Sequence, residues 1–302
     1  MPDISVVIPT YNRLDTLEHV VPALLDQDLP RNSYELLICD SNSSDGTAAY
    51  MARVCAENAN VRYLPGSYSG RAAARNAGIA AAAGEVVLFN DSDILASPDL
   101  LSQHLRHHRE RTGIAVVGWE VQVRDLEDYA YKRAHPDERG HLHPPTRKRL
   151  SWLYFLTGNA SVRRADLLRV GSFDESFTGY GHEDLELGYR LQEAGIEIVY
   201  EARAINYHCQ DVPHDDQKEK MKLAGRSTVR FYRKHPDFKV KLNLGMTPVS
   251  LGLHSMLTRM PAVLGYFDAR AASSKFARDL VQQYYYVSGI KEALDGNDTK
   301  WK

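Results

Sequence analysis

Cysteine is scarce and forms no pattern. Cys39, Cys55 and Cys209 are odd in number and scattered, so neither a disulfide framework nor a CxxC metal site fits. A reducing compartment, with the cytoplasm as the default, is the expectation. Long apolar runs are missing too. No stretch of about 18 apolar residues occurs, which argues against a spanning helix. The nearest approach, Leu251 to Phe267, is broken by His254, Arg259 and Pro261; at most it could lie on a membrane surface. The opening MPDISVVIPTYN has no basic region followed by an apolar segment and a small-residue cleavage site, so a secretory signal is not expected. An excess of either charge is also lacking. The 37 Lys and Arg against 39 Asp and Glu leave a formal net charge of −2, which gives no global reason to expect nucleic acid as a partner. Nor does a GxGxxG follow any strand-like run, so the dinucleotide fingerprint of an NAD(P) oxidoreductase is absent.

What is present is an ordinary globular composition, 43% apolar and 25% charged over 302 residues, enough for one large domain or two modest ones. Short β-rich runs alternate with helical patterns through the first half. ISVVIP, YELLICD, VRYL, EVVLFND and GIAVVGWEV read as strands. Between them lie a helix with Leu14, Leu17, Val21 and Leu25 on one face, another from about Thr47, an Ala-rich one from Arg71 to Ala83, and one around Leu100 to Arg109. This alternation predicts an α/β fold: a Rossmann-like, mostly parallel sheet flanked by helices, with ligands at the carboxyl ends of the strands. Residues Asp125 to Arg149 are polar and irregular and read as a loop. Beyond them come WLYFLTGNASVRR, a helix EDLELGYRLQEAG, a strand IEIVYEA and a polar helix near Asp216 to Lys234. From about Met246 the chain is helical by pattern, with Tyr266 to Ala277 and Leu280 to Leu294 as helices. This C-terminal helical extension could pack on the rest, pair two subunits or rest on an anionic membrane surface.

The fourth strand ends in two carboxylates, Asp91 and Asp93, separated by Ser92. At a strand's carboxyl end they face the ligand crevice. Two hard oxygen donors at i and i+2 can bind one divalent cation, and Mg²⁺ or Mn²⁺ typically combines such carboxylates with a substrate phosphate. Asp-Ser-Asp is equally good turn and capping chemistry. Arg71 and Arg75 lie one helical turn apart, with Asn76 beside them, so the two arginines share a face that could reach ribose or diphosphate oxygens. Glu183 and Asp184 open a helix after the glycine-rich GYGH, where carboxylates also stabilise the helix dipole, typically by about 0.3–1 kcal/mol each. The histidines of HLRHH (His104 to His108), with His141 and His143, read as solvated.

Four segments in order resemble the family 2 glycosyltransferases with their GT-A nucleotide-sugar-binding fold: SVVIPTYNR (Ser5 to Arg13), CDSNSSDGT (Cys39 to Thr47), GRAAARNAGIAAAAGEVVLFNDSD (Gly70 to Asp93) and the stretch from Gly158 to Gly195. The match covers about residues 3 to 210. The resemblance implies a catalytic domain over 1–240, with a nucleotide-sugar half at 1–118 and an acceptor half at 119–240, followed by a helical subdomain at 241–302. It implies that Pro9, Tyr11, Arg13, Asp40, Arg71, Arg75, Asn76, Asp91 and Ser92 bind the nucleotide sugar, Asp40 accepting hydrogen bonds from the base. It implies Asp91, Asp93 and His208 as ligands of Mn²⁺ or Mg²⁺, and Asp184, with Glu183 next in line, as the base of an inverting transfer. Trp152 and Asn159 would face the acceptor, although Trp152 suits a core equally well. Ser41 and Asn42 depart from the family's usual acidic residue and glycine, and Asn90 stands where an apolar residue is usual. The QxxRW segment of processive synthases is absent, which favours single-sugar addition.

The function this implies is transfer of one sugar from a nucleotide diphosphate sugar, a UDP-linked one being expected, to a glycan, glycolipid or other hydroxyl acceptor. The site would be cytoplasmic or at the inner face of a membrane, and oligomers are open. A catalytically silent nucleotide-sugar-binding or scaffold protein of the same fold is the alternative.

Overall fold

The first two strands, β1 (Ile4–Thr10) and β2 (Tyr34–Asp40), are buried along their whole length. Continuous apolar strands need cover on both faces, and helices supply it here. The computed structural model describes residues 1–140, 149–209 and 214–296. In chain order the first unit adds α1 (Leu14–Leu25), α2 (Thr47–Glu57), β3 (Val61–Pro65), α3 (Arg71–Ala81), β4 (Val86–Phe89), β5 (Ile94–Ala96), α4 (Leu100–Glu110), β6 (Ile114–Val123), α5 (Leu126–Ala134), β7 (Arg149–Leu150), β8 (Ala160–Arg163), α6 (Arg164–Arg169), α7 (Glu183–Glu193) and β9 (Glu197–Cys209). Leu17, Val20, Val21 and Leu24 recur at helical spacing on α1 and are buried in one cluster with Ile4, Val6, Ile8, Leu36 and Ile38 of the sheet. Burying each such side chain contributes roughly 1.5–3 kcal/mol.

The strands form one sheet in the order β3-β2-β1-β4-β8-β6-β9-β5, with β7 beside β9. It is parallel from β3 to β4 and again between β6 and β9. Antiparallel pairings enter at β8, β5 and β7. The register of the β5–β9 pair sets Ile94 opposite His208, which carries the strand after the Asp-Ser-Asp turn to the residue expected as the third ligand.

By its internal packing the chain divides into two compact units, Met1–Thr178 with Glu183–Asp211, and Gly179–His182 with Val212–Lys302. The division therefore falls near 211, earlier than the expected 240. The second unit contains α8 (His214–Lys234), α9 (Phe238–Asn243), α10 (Pro248–Thr258), α11 (Pro261–Asp268) and α12 (Lys275–Leu294). Helix α8 belongs here because it lies tightly along α12: a β-carbon on Gly225 would overlap the Tyr286 carbonyl, and one on Gly289 the backbone of Lys222. Val229, Met246, Ile290 and Ala293 form this unit's own core.

Two expectations about elements need correction. The supposed loop after Asp125 contains α5, whose first turn Asp125 caps by accepting from the Asp128 N–H. The rest of that segment, with His141 and His143, lies outside the described residues. Tyr266 to Ala277 is not one helix. Helix α11 ends at Asp268, and Ser274 caps a new start by accepting from the Ala277 N–H.

Candidate active site

All the groups described below lie in the first unit. At the carboxyl ends of β1 and β4 a cavity of about 440 Å³ opens between Pro9, Thr10, Tyr11, Arg13, Ser41, Tyr68, Gly70, Arg71, Ala74 and the Asp91-Ser92-Asp93 turn. Two loops build its rim. Asn12, in the left-handed region at φ 49°, accepts from the Ser44 N–H through Oδ1 at 2.8 Å and donates its own N–H to Ser43 Oγ at 2.8 Å. The loop after β1 is thereby pinned to the loop after β2.

The acidic turn is shaped from beneath by Asn90. Its buried amide donates to the carbonyls of Asp91 and Ile94, each at 2.9 Å. A side-chain amide in place of the usual apolar residue ties the turn together. Asp93 lies 3.6 Å from His208 Nε2, and the other imidazole nitrogen, Nδ1, is 3.0 Å from Glu120 Oε1. Burial alone would raise the Asp93 pKa; the hydrogen bond and charge of His208, with Arg13 and Arg71, reverse this and hold it low. Burial alone would lower that of His208, but Asp93 and Glu120 carry it up to about 10.

Glu120 was not foreseen. The alternation of β6 places it and Gln122 on the face that β9 presents at His208, and Gln122 Nε2 donates to Glu120 Oε1 at 2.7 Å. Gly158 makes room for the group, since a β-carbon there would overlap the Glu120 carboxylate. The period-two spacing of polar residues in GWEVQV was the available signal.

Arg75 joins this acidic tip to α7. Its guanidinium is buried and donates to Asp91 Oδ1 at 2.7 Å and to Glu183 Oε1 at 3.0 Å, over the ring of Phe173. Such charge-assisted pairing compensates part of the cost of burying the Arg75 and Glu183 charges, with Asp91 half-buried beside them. Asp184 is half-buried at the start of α7, with Oδ1 accepting from the Leu185 N–H at 2.8 Å. Burial first, then the Glu183 charge, push its carboxyl well above the usual carboxylate range, against the opposing pull of Arg75. A carboxyl raised in this way is a stronger base than an ordinary aspartate.

Several expected residues sit elsewhere. Asp40 is fully buried and does not line the cavity; its oxygens accept from Ser43 Oγ and from the Tyr63 hydroxyl, both at 2.5 Å. Ser41 and Tyr68 occupy the rim instead. Arg71 lines the cavity while Arg75 turns inward to pair with the buried Glu183 and the half-buried Asp91. Asn76 latches the loop after α6, donating to the Phe173 carbonyl and Glu175 Oε1, each at 2.9 Å, and accepting from the Phe173 N–H.

The sequence matches the family model described as glycosyl transferase family 2 over residues 5–171. This chain belongs to that family. A second model, described as the N-terminal domain of galactosyltransferase, matches residues 140–212. The chain is 30% identical over 275 residues to validoxylamine A glucosyltransferase of Streptomyces hygroscopicus subsp. jinggangensis, covering 82% of this chain and 64% of the relative. It spans about three fifths of the length of the curated relatives it matches first. Among solved structures it is similar to the mannosyltransferase PcManGT of Pyrobaculum calidifontis in complex with GDP-Man and Mn²⁺, with a TM-score of 0.66 at 20% identity over 98% of this chain and 88% of the other. It is also similar to S. aureus TarS 1–349 in complex with UDP-GlcNAc, with a TM-score of 0.57 at 18% identity over 98% and 92%. At these identities the likeness shows the GT-A fold.

Within this family 2 chain, the two residues expected at the acceptor are core residues. Trp152 is buried with its ring edge-on to Tyr189. Asn159 is buried beneath the sheet, bonded to His104 Nε2 at 2.8 Å and to the Ala204 carbonyl at 3.0 Å. The histidines read as solvated are corrected with it. His104 and His108 are buried on the same stripe of α4 as Leu100, Leu101 and Leu105, and both meet Ser161 Oγ, at 2.8 and 2.9 Å. His107 is half-buried against Glu201 at 2.7 Å.

Proposed function

We propose that this chain transfers one sugar from a nucleotide diphosphate sugar to a hydroxyl acceptor, with inversion at the anomeric carbon. The observation that carries the reading is Arg75, which ties the carboxylate turn at the cavity to the Glu183-Asp184 pair on α7. Donor and acceptor sides of a displacement need such a fixed spacing.

Donor diphosphate would enter the cavity against Arg13 and Arg71, with Tyr11 exposed on its rim to stack on the base. Asp91, Asp93 and His208 would hold a divalent cation. Among the described residues no three His, Cys, Asp or Glu side chains already converge at metal-binding spacing, but two carboxylates with an imidazole form a mixed oxygen and nitrogen set that suits Mn²⁺ or Mg²⁺. When bound, that ion supplies charge neutralisation for the departing diphosphate.

Asp184 takes the proton of the acceptor hydroxyl. The oxygen so freed bonds to the anomeric carbon from the face opposite the nucleotide, the bond from that carbon to the phosphate oxygen breaks, and the electron pair leaves with the nucleoside diphosphate. Glu183 holds its second oxygen buried without a hydrogen-bond partner in the structure, which fits a role in holding an acceptor hydroxyl. The 30% identity with a glucosyltransferase supports a hexose donor, and UDP is the first nucleotide to try.

The test is hydrolysis and transfer across a set of nucleotide sugars with Mn²⁺, Mg²⁺ or EDTA. Turnover of one donor, lost with the chelator, is the expected result. Turnover indifferent to EDTA would overturn the metal reading. Silence with every donor, while nucleotide still binds, would favour a silent nucleotide-sugar-binding protein.

A further inference from the structure

Helix α10 is inside out relative to an ordinary surface helix. Val249, Gly252, Leu253 and Met256 follow the i, i+3, i+4, i+7 spacing of one helical face. That face is the exposed one: Val249 is 79% exposed and Met256 51%, whereas His254 and Leu257 turn inward. Scattered exposed apolar residues need no explanation, but a whole helix face does. Further exposed apolar residues follow along the chain. Met260 lies between α10 and α11, Tyr266 of α11 is 54% exposed, and Phe276 at the start of α12 is 68% exposed with its ring edge-on to Phe267.

Charge is distributed unevenly around it. From Phe238 to Phe267 there is no Asp or Glu at all, while Lys239, Lys241 and Arg259 are basic and exposed. Arg270 follows, stacked on the Tyr266 ring at 4.0 Å. Asp237, Asp268, which Lys218 neutralises at 2.9 Å, and the exposed Asp279 interrupt a border that is otherwise basic; an apolar face so bordered is complementary to a surface that is apolar within and anionic at its rim. No described helix is long and apolar enough to cross a membrane, so such a surface would be met from one side.

We propose that the α10–α11 face docks onto a lipid surface carrying anionic headgroups, with Val249, Leu253, Met256 and Met260 entering the acyl boundary and Lys239, Arg259 and Arg270 meeting the headgroups. A transferase held this way would work at the membrane face, where lipid-linked or surface-held acceptors are concentrated. The inference uses none of the residues assigned to sugar transfer and stands or falls separately from them.

The experiment is co-sedimentation of the full chain with vesicles of phosphatidylcholine alone and of an equal mixture of phosphatidylcholine and phosphatidylglycerol, at low and high salt. The expected result is capture by the anionic vesicles, weakened by salt. The Leu253→Glu/Met256→Glu double variant should lower the partition constant about tenfold or more with an unchanged circular dichroism spectrum, as suits exposed positions. Arg259→Ala should reduce only the anionic preference. No capture by either vesicle, or capture that the double variant retains, would overturn the proposal. So would a concentration-dependent dimer in sedimentation velocity that the double variant dissociates in the absence of lipid binding, which would assign the face to a second copy.

Discussion

Arg75 neutralises Glu183 within a site where solvent screens little. Removing one member of a buried pair leaves the other charge uncompensated, so Arg75→Met should cost about 3–5 kcal/mol of stability, measured by urea denaturation; a variant as stable as the parent would show that water already solvates Glu183. Asp184 acts differently. Under its proposed role as base, Asp184→Asn should lower transfer by about 10²–10⁴ while nucleotide affinity, read by calorimetry, stays close to that of the parent. Its raised pKa gives the sign of the pH profile. The base must be unprotonated, so kcat/KM should fall on the acid side with a midpoint above the ordinary aspartate value of about 3.9. A midpoint at or below that value, or substantial transfer by Asp184→Asn, would move the base to another residue, Glu183 first. Glu120 meets the imidazole of His208 at 3.0 Å and, under the proposed metal site, acts as a positioning residue for it. A carboxylate on the far nitrogen of a ligating imidazole fixes its orientation, and losing it typically weakens metal affinity about 10–100-fold. Glu120→Gln should do so in a titration of free Mn²⁺ followed by electron paramagnetic resonance, with Gly158→Ala producing a similar loss by displacing the same carboxylate. Unchanged Mn²⁺ affinity in both would remove Glu120 from the site.

At the scale of elements, α4 and β8 are joined by imidazoles that burial keeps neutral. It lowers the His104 pKa to about 4 and that of His108 to about 3. Both values lie below the unfolded value of about 6.5, so the unfolded chain binds more protons between them. The stability the two groups contribute is therefore whole above about pH 6.5 and is lost as pH falls toward 4, with a slope near 1.4 kcal/mol per pH unit for each imidazole. Thermal melts across that range should show the decline, and His104→Gln should flatten it; an equally steep decline in the variant would place the effect elsewhere. These two histidines were legible in principle. They lie at i and i+4 on the stripe formed by Leu100, Leu101 and Leu105, and reading HLRHH as solvated gave side-chain polarity more weight than helical phase. The starts of α2, α3 and α7 were legible for the opposite reason, since a glycine-containing loop before each and an apolar period within it agree. Helix α5 was missed because its face is short and its signal is mainly the Asp125 cap.

For the molecule as a whole, the order of motifs from Ser5 to Gly195 was enough to place the chain in its family, and strand–helix alternation was enough for the sheet and the strand ends where the cavity lies. These are local properties. An apolar run, a turn residue or a cap carries its meaning within a dozen positions, so the sequence by itself determined most of the elements, though not α5 or the break between α11 and α12, together with the carboxylate turn at Asp91–Asp93 and the family. What only the tertiary structure decided are the pairings between residues far apart: Arg75 with Glu183 across α3 and α7, Glu120 with His208 across β6 and β9, Asp40 closed off by Tyr63, and Asn159 drawn into the core by His104. Each depends on burial, which sets both the cost of an unpaired polar group and the partner that relieves it. The outward-facing apolar stripe of α10 is of the same kind, because periodicity marks a face without telling which way it turns.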